Sequence, residues 1–350
     1  MEGKPRIGFV GVGSMGQMAH LRNYAVLPCE IVALAELREK TGRTVAERYR
    51  IPRCYPSAAQ MLEKEKLDAL VASQPFTRHG VVLDELLAAG VPVLIEKPLA
   101  ASVATARRLA EMAERSGTFV MVGYHKRSDP ATMYAKERID ELVASGELGR
   151  MTYARILMPA GDWIANGFDE LLNEGDPALH LESDPPDPDL DEKGREQYIT
   201  FVNYYIHQVN LLRHLIGSPY RPVFADRAGK LLVAEADNGV TATIEMSPYR
   251  TTIDWQEQAL VCFERGWVRL DLPAPLAHNR PGRVTVYRDP GADALPMEES
   301  PTLPWTHAMR QQAANFLAAV RGERAPMTGA AEALEDLIVA REYLRLHTGT

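Results

Sequence analysis

The chain has 350 residues, 46% apolar and 25% charged, with 39 Lys+Arg against 47 Asp+Glu and a formal net charge of −8. These proportions suit a folded protein of roughly two domains, at about 150 residues each, and exclude a disordered or low-complexity chain. The acidic balance argues against nucleic acid or an anionic membrane as a partner, since both reward a positive field.

Three cysteines, Cys29, Cys54 and Cys262, are too few and too dispersed for a disulfide framework or a CxxC metal knuckle. The opening MEGKPRIGFVG runs almost at once into a strand, and no stretch of about 18 apolar residues occurs. Neither a signal peptide nor a spanning helix is expected, which makes a cytoplasmic location the default.

Short apolar runs then alternate with helical periods. IGFVGV reads as a buried strand, followed by a helix from Met15 to about Leu27. IVALAE is the second strand, with a helix from about Arg38 to Tyr49. A short helix near Ala58–Lys64 precedes DALVAS, the third strand. HGVVLDELLAAG is a helix ending at Gly90 and VPVLIEKP the fourth strand. ASVATARRLAEMAERSG is a helix closed by Gly117, and TFVMVGY the fifth strand. Apolar strands without in–out alternation, separated by helices, predict a parallel sheet covered on both faces. That is a doubly wound, Rossmann-type α/β domain over residues 1–123.

After Tyr124 the pattern changes. A helix over Pro130–Ser145 precedes the strand MTYARILM, and a long polar stretch, Gly161–Gln197, carries the acidic, proline-rich ESDPPDPDLDEK. A helix from about Asn203 to Ile216 follows. Alternating strands come next, around 223–224, 230–236, 240–246, 258–263, 267–271 and 284–287, before two helices over about 305–321 and 330–347. This predicts an α+β second domain, residues 124–350, on a large, mostly antiparallel open sheet. Its closing helices are free to pack back on the first domain.

Gly11-Val12-Gly13-Ser14-Met15-Gly16 is GxGxxG between a strand and a helix. Gly11 suits a tight turn, Gly13 lets the backbone approach a pyrophosphate, and Gly16 allows close helix–strand packing. The helix N-terminus offers free N–H groups and partial positive charge. Glu36, closing the second strand, can accept hydrogen bonds from an adenosine ribose diol and would repel a 2′-phosphate, which Arg38 could accommodate. NAD is the expected cofactor, with NADP left open. The structural alternative for Glu36 is a solvated strand-end acid.

The fourth strand ends in Glu96-Lys97-Pro98, at the carboxyl edge where open parallel sheets receive ligands. Neighbouring strand residues point to opposite sides, so one can address a cofactor ribose while the other addresses a substrate. A salt-bridged pair is the bland alternative. With GVGSMG at 11–16, SQPFTRHG at 73–80, LIEKPLA at 94–100, GYHKRSDPA at 123–131 and a looser match in NYYIHQVNLLRHLIG at 203–217, the sequence resembles the Gfo/Idh/MocA oxidoreductases, the glucose–fructose oxidoreductase and inositol dehydrogenase superfamily. The resemblance implies an N-terminal dinucleotide domain, a C-terminal sheet often used for oligomerisation, and an active site between the domains. It implies cofactor contacts from the loop Gly11, Gly13, Ser14, Met15 and Gly16, from Pro75, His79 and His125, and from Glu96 on the nicotinamide ribose. Lys97 and His207 would be the catalytic pair. His79 has an alternative as a helix-start residue satisfied by solvent.

Oxidising a secondary alcohol moves a hydride to the nicotinamide and a proton to a base. A histidine, titrating near about 6.5 when unperturbed, suits the proton transfer. Lys97, partly desolvated beside the positive nicotinamide ring, is expected to have a lowered pKa and to stabilise the developing alkoxide. Asn203, His207, Asn210 and His214 fall at i, i+4, i+7 and i+11, a polar stripe on one helix face, with Val209, Leu212 and Ile216 on another. The helix departs from the family's Asp-x-Gly-x-His-x-x-Asp in having Asn203, Tyr205 and Asn210 at the Asp, small-residue and Asp positions. An amide at 203 can orient Lys97 or a substrate hydroxyl but cannot carry charge or take a proton.

Asp187, Asp189 and Asp191 alternate like the opening of an EF-hand loop, but Glu192 and Tyr198 occupy its sixth and twelfth positions, so no metal is expected. A loop as long as Gly161–Gln197 is uncommon without a function. It is expected to border the substrate cleft, with Asp162 and Trp163 at its start and Trp163 offering a flat face to a sugar ring or simply packing. Arg127 is expected to grip hydroxyls or a carboxylate, or to pair with Asp129.

The expected activity is NAD(P)-dependent hydride transfer at a ring hydroxyl of a sugar, cyclitol or glycoside, a small-molecule carbohydrate or polyol. Lys97, Arg127, Asp162, Trp163, Asn203 and His207 would surround that substrate, in a homo-oligomer (dimer or tetramer) joined through the C-terminal sheet. An NAD-retaining glycosidase or lyase using transient oxidation, and a non-catalytic NAD sensor, are the alternatives.

Overall fold

Unbroken apolar runs become buried strands. A computed structural model describes residues 3–177, 179–292 and 294–349. Arg6–Val10 (β1), Glu30–Ala35 (β2), Cys54–Tyr55 (β3), Ala69–Ala72 (β4), Val93–Ile95 (β5) and Val120–Val122 (β6) form a parallel sheet of order β3-β2-β1-β4-β5-β6. The order reverses between β1 and β4, where such sheets receive ligands at the carboxyl ends of their strands. β3, only two residues long, carries no period that sequence could show.

A π turn, Gly16–Leu21, runs into Arg22–Tyr24 as α1. Glu39–Tyr49 (α2), Ala58–Lys64 (α3), His79–Ala88 (α4) and Val103–Arg115 (α5) follow. Ser57 and Ser102 cap α3 and α5 by accepting from Gln60 N and Thr105 N, which satisfies donors that a helix start leaves open.

In the C-terminal part, Pro130–Ser145 (α6) starts on the Asp129 side chain with Pro130 in its first turn and stops at Gly146, φ +66°. Met151–Ala160 (β7) and Glu192–Ile216 (α7) come next. Then follow Tyr220–Ala225 (β8), Leu231–Ala236 (β9), Thr241–Arg250 (β10), Glu257–Phe263 (β11), Gly266–Leu272 (β12), Arg283–Arg288 (β13) and Met297–Glu299 (β14). Ala308–Val320 (α8) and Ala330–Thr348 (α9) close the chain.

The second sheet has the order β14-β13-β12-β11-β7-β10-β9-β8, antiparallel except for the β7–β10 pair, as the alternating strands predict. Alternate residues of β11 and β12 are buried, so one face of the sheet packs into the core. α7 starts eleven residues before the expected Asn203, inside the stretch read as loop; there Asp191 Oδ1 accepts from Gly194 N at 2.7 Å.

The single boundary expected after Gly123 gives way to several. One compact unit holds the residues up to Tyr124 together with Gly167–Arg195 and Met309–Leu337; the other holds His125–Asn166, Glu196–Ala308 and Ile338 onward. The cause is packing. Phe316 on α8 lies edge-on to Phe119 at 6.0 Å and to Tyr24 at 6.5 Å, and Tyr24 meets Phe9 at 5.3 Å. α8 thereby completes the core of the parallel sheet. Among the described residues, no helix is long and apolar enough to cross a membrane.

Candidate active site

In the N-terminal unit the glycine loop leaves β1. Gly11 has φ +85°, and a Cβ there would stand 2.6 Å from the Ser73 carbonyl oxygen. A Cβ on Gly16 would stand 2.6 Å from the Gly11 carbonyl, so both are close-packed turns that only glycine fits. Gly13 is the opposite case. A Cβ there would meet nothing within 4 Å. Open space above Gly13 and exposed Ser14, at the start of a helix, fit the pyrophosphate of a dinucleotide.

Glu36 is buried rather than solvated. Its carboxylate accepts from Val12 N (2.8 Å) and from Arg38 N, Nε and Nη2 (3.0, 2.9 and 3.0 Å), tying the loop to the end of β2. Burial alone would raise its pKa; the bonds from Arg38 and Val12 outweigh that and hold it below the usual carboxylate range. The guanidinium donors are the ones a ribose diol could replace.

Past β4, Pro75 is exposed, while His79 is buried at the start of α4. His79 Nδ1 lies 3.1 Å from the Leu99 carbonyl and Nε2 3.3 Å from the Gln74 carbonyl. Burial pushes its pKa down. Past β5, buried Glu96 pairs with His20 Nε2 of the π turn Gly16–Leu21 and accepts from Lys97 N at 3.2 Å. Burial opposes its charge, but the His20 hydrogen bond and the charges of His20 and Lys97 keep its pKa low. Lys97 is half-buried, and the Lys97–Pro98 peptide is cis.

In the C-terminal unit the turn His125–Ser128 is buried. The His125 ring stands edge-on to His207 of α7, centroids 4.4 Å apart. Arg127 Nε donates to Asn210 Oδ1 at 2.7 Å. Lys126 is ion-paired with Glu257 and lies 5.5 Å from the centre of the Trp255 ring. Glu257 also accepts from Gln208 Nε2 (2.7 Å) and Trp255 Nε1 (3.1 Å). Asp129 accepts from Ala131 N and Gly282 N, and burial raises its pKa to about 6. Asn203 is exposed on α7, and Tyr205 shares a hydrogen bond with Ser247 at 2.6 Å. Burial, then the charges of Arg127, Lys136 and Arg213, push His214 well below its ordinary pKa. A cleft of about 570 Å³ in this unit is lined by Asp162, Trp255, Glu257, Asp271 and Arg280 among others.

A family model for Gfo/Idh/MocA, an oxidoreductase family with an NAD-binding Rossmann fold, matches residues 5–124. The scyllo-inositol 2-dehydrogenase (NAD(+)) of Bacillus subtilis is 24% identical over 263 residues, 71% of this chain and 68% of that one. The inositol 2-dehydrogenase of Rubrobacter xylanophilus is 34% identical over 146 residues, which is 41% of this chain and 40% of its own length. Residues 5–124 are thus similar to the NAD-binding Rossmann domain of the Gfo/Idh/MocA oxidoreductases. The solved aldose-aldose oxidoreductase of Caulobacter crescentus shares the fold of this chain, with a TM-score of 0.69 over 99% of this chain and 98% of that one at 18% identity. NAD is the cofactor of this chain, and the open glycine loop suits it.

The structure of this chain changes several expectations. His79 is not satisfied by solvent; the Leu99 and Gln74 carbonyls lie within reach of its two ring nitrogens, one of which donates, so it braces the turn before α4. Arg127 is buried and fastens the His125–Ser128 turn to α7 instead of standing open to a substrate. The stretch Gly161–Gln197 divides: Asp162 and Ala165 line the cleft of the C-terminal unit, while Gly167–Arg195 belongs to the N-terminal unit. Trp163 accepts from Leu276 N at 3.2 Å through its carbonyl, and the flat ring lining the cleft is that of Trp255.

His20, Lys126, Gln208, Trp255 and Glu257 were not singled out from sequence. Glu257 had a usable signal. It shares the buried parity of β11 with Ala259, Val261 and Phe263, an acid on a core face that requires a partner.

Proposed function

We propose that the chain oxidises a ring secondary hydroxyl of a sugar, cyclitol or glycoside at the expense of NAD. The glycine loop, open above Gly13 and tied to Glu36, carries this reading as the seat of a dinucleotide. The cleft of about 570 Å³, whose lining includes none of Lys97, Asn203 and His207, offers room for a small ligand beside the flat ring of Trp255. The inositol and aldose enzymes among its relatives support the substrate class.

NAD bound at the glycine loop supplies the hydride acceptor. His207, held edge-on by His125, takes the hydroxyl proton. Lys97 holds the charge of the developing alkoxide, and Asn203 orients a hydroxyl. Self-association as a dimer or tetramer is assigned to the C-terminal sheet; a solution mass equal to the 38.8 kDa monomer would overturn it.

The test is a panel of polyols, aldoses and glycosides with NAD and NADP, followed by absorbance of the reduced cofactor. NADH is expected with a cyclitol or aldose, and His207→Ala or Lys97→Ala should each lower kcat by about 10²- to 10⁴-fold. Intact rates in both variants refute the residue assignment. Bond cleavage without NADH accumulation refutes net oxidation.

A further inference from the structure

The segment Gly167–Arg195 lies along helix N-termini of the parallel-sheet unit and places a carboxylate on α2. Asp176 Oδ1 accepts from Lys40 N at 3.1 Å, and Oδ2 accepts from Thr41 N at 2.9 Å and Thr41 Oγ1 at 2.6 Å. The Thr41 hydroxyl bond, supported by the main-chain N–H groups and the Lys40 charge, outweighs burial and holds the Asp176 carboxyl below its usual range.

The segment is pinned on either side. Gln17 exchanges hydrogen bonds with the Leu172 main chain (2.9 and 3.0 Å), and Asp184 accepts from Gly80 N at 2.9 Å. α2 begins just past Glu36, and Arg38, standing between the two acids, commits its Nε and Nη2 to Glu36.

We propose that Asp176 is a built-in anion that excludes a 2′-phosphate, so that this protein selects NAD over NADP. The inference rests on reading the glycine loop as the NAD seat. In this fold the acid closing β2 receives the ribose 2′-hydroxyl, and an adjacent Arg receives a 2′-phosphate where one is bound. Such a phosphate needs a guanidinium or the N–H groups of a helix start. The start of α2 is already taken by Asp176, and Arg38, bonded to Glu36, stands between two carboxylates. NADP would have to displace a hydrogen-bonded carboxylate and bring its negative charge beside two acids, whereas the NAD diol brings none.

NADH and NADPH are titrated by nicotinamide fluorescence into the wild type, Asp176→Asn, Asp176→Ser, Glu36→Ser and Glu36→Ser/Asp176→Asn, so the readout is affinity and not turnover. The ratio Kd(NADPH)/Kd(NADH) is expected to fall about fivefold on removing the Asp176 charge. In the double variant it should fall by more than the product of the single effects. Asp176→Ser keeps the test open if Asp176→Asn does not fold. NADH binding with a ratio unchanged in every Asp176 variant overturns this proposal and leaves the NAD seat standing. No NADH binding by the wild type overturns both.

Discussion

Glu257→Gln is expected to destabilise the protein far more than a one-atom change suggests. Glu257 and Lys126 are 2% and 4% exposed, and they form an ion pair that leaves neither charge to water. Removing one member of a buried pair strands the other and costs about 3–5 kcal/mol. Glutamine can still accept from Gln208 or from Trp255, bonds of 2.7 and 3.1 Å, so the loss should sit near the lower figure, about 3 kcal/mol. Lys126→Met combined with Glu257→Gln removes both charges and should recover most of that loss, since neutral replacements of buried pairs are often tolerated. The assay is urea unfolding of the C-terminal unit by tryptophan fluorescence, with NADH binding as a check that the N-terminal unit is intact. The reasoning fails if Glu257→Gln stays within about 0.5 kcal/mol of wild type, or if the double variant is no better than the worse single one.

Three further outcomes are expected. Gly13→Ala, projecting into space empty within 4 Å, should leave the melting temperature unchanged and weaken NADH binding about tenfold; Gly16→Ala, 2.6 Å from the Gly11 carbonyl, should cost about 1–3 kcal/mol, and the reverse pattern in melts and titrations would refute the seat. Asp129, raised from 3.8 to about 6 by burial, keeps its proton to higher pH in the folded state than in the unfolded one. Stability present at low pH should therefore fall by about 3 kcal/mol between about pH 4 and 6, and a pH series of urea midpoints should show that slope vanish in Asp129→Asn. Phe316→Ala should cost about 3–5 kcal/mol in thermal melts of the parallel-sheet unit, and a loss below about 1 kcal/mol would place α8 outside that core.

The parallel sheet was readable because its strands are apolar on both faces and its turns carry glycine: β1, β2, β4, β5 and β6, with the loop Gly11–Gly16, lie where those runs and motifs put them. α6 was equally plain, since Asp129, Pro130 and Gly146 mark its ends chemically. The partners of the site residues were harder. Glu96 stood out by its position, but His20 resembles any buried helix residue until the fold brings it 76 positions along the chain to that carboxylate. Lys126 lies within a quoted motif, yet its role depends on Glu257, 131 residues away. Pairings at such separations follow from topology and leave no local periodicity.

The route of Gly167–Arg195 left a subtler trace, in what two helices lack. α3 and α5 begin on serines that cap them, whereas α2 and α4 follow Arg38 and Arg78, neither of which caps with its side chain. A helix start leaves N–H groups that must find an acceptor, and one without Ser, Thr, Asp or Asn in place has to borrow it. Asp176 supplies α2 and Asp184 supplies α4, while Asp187 adds a 3.3 Å contact to Val103 N at the start of α5. The acids of Gly167–Arg195 are therefore intelligible as the acceptor side of that deficit. Those helix starts lie at the carboxyl edge of the sheet, where anionic ligands are received. The same carboxylates that complete the helices thus also set the charge a cofactor meets, which is why an acid such as Asp176 can act on cofactor choice from a distant part of the sequence.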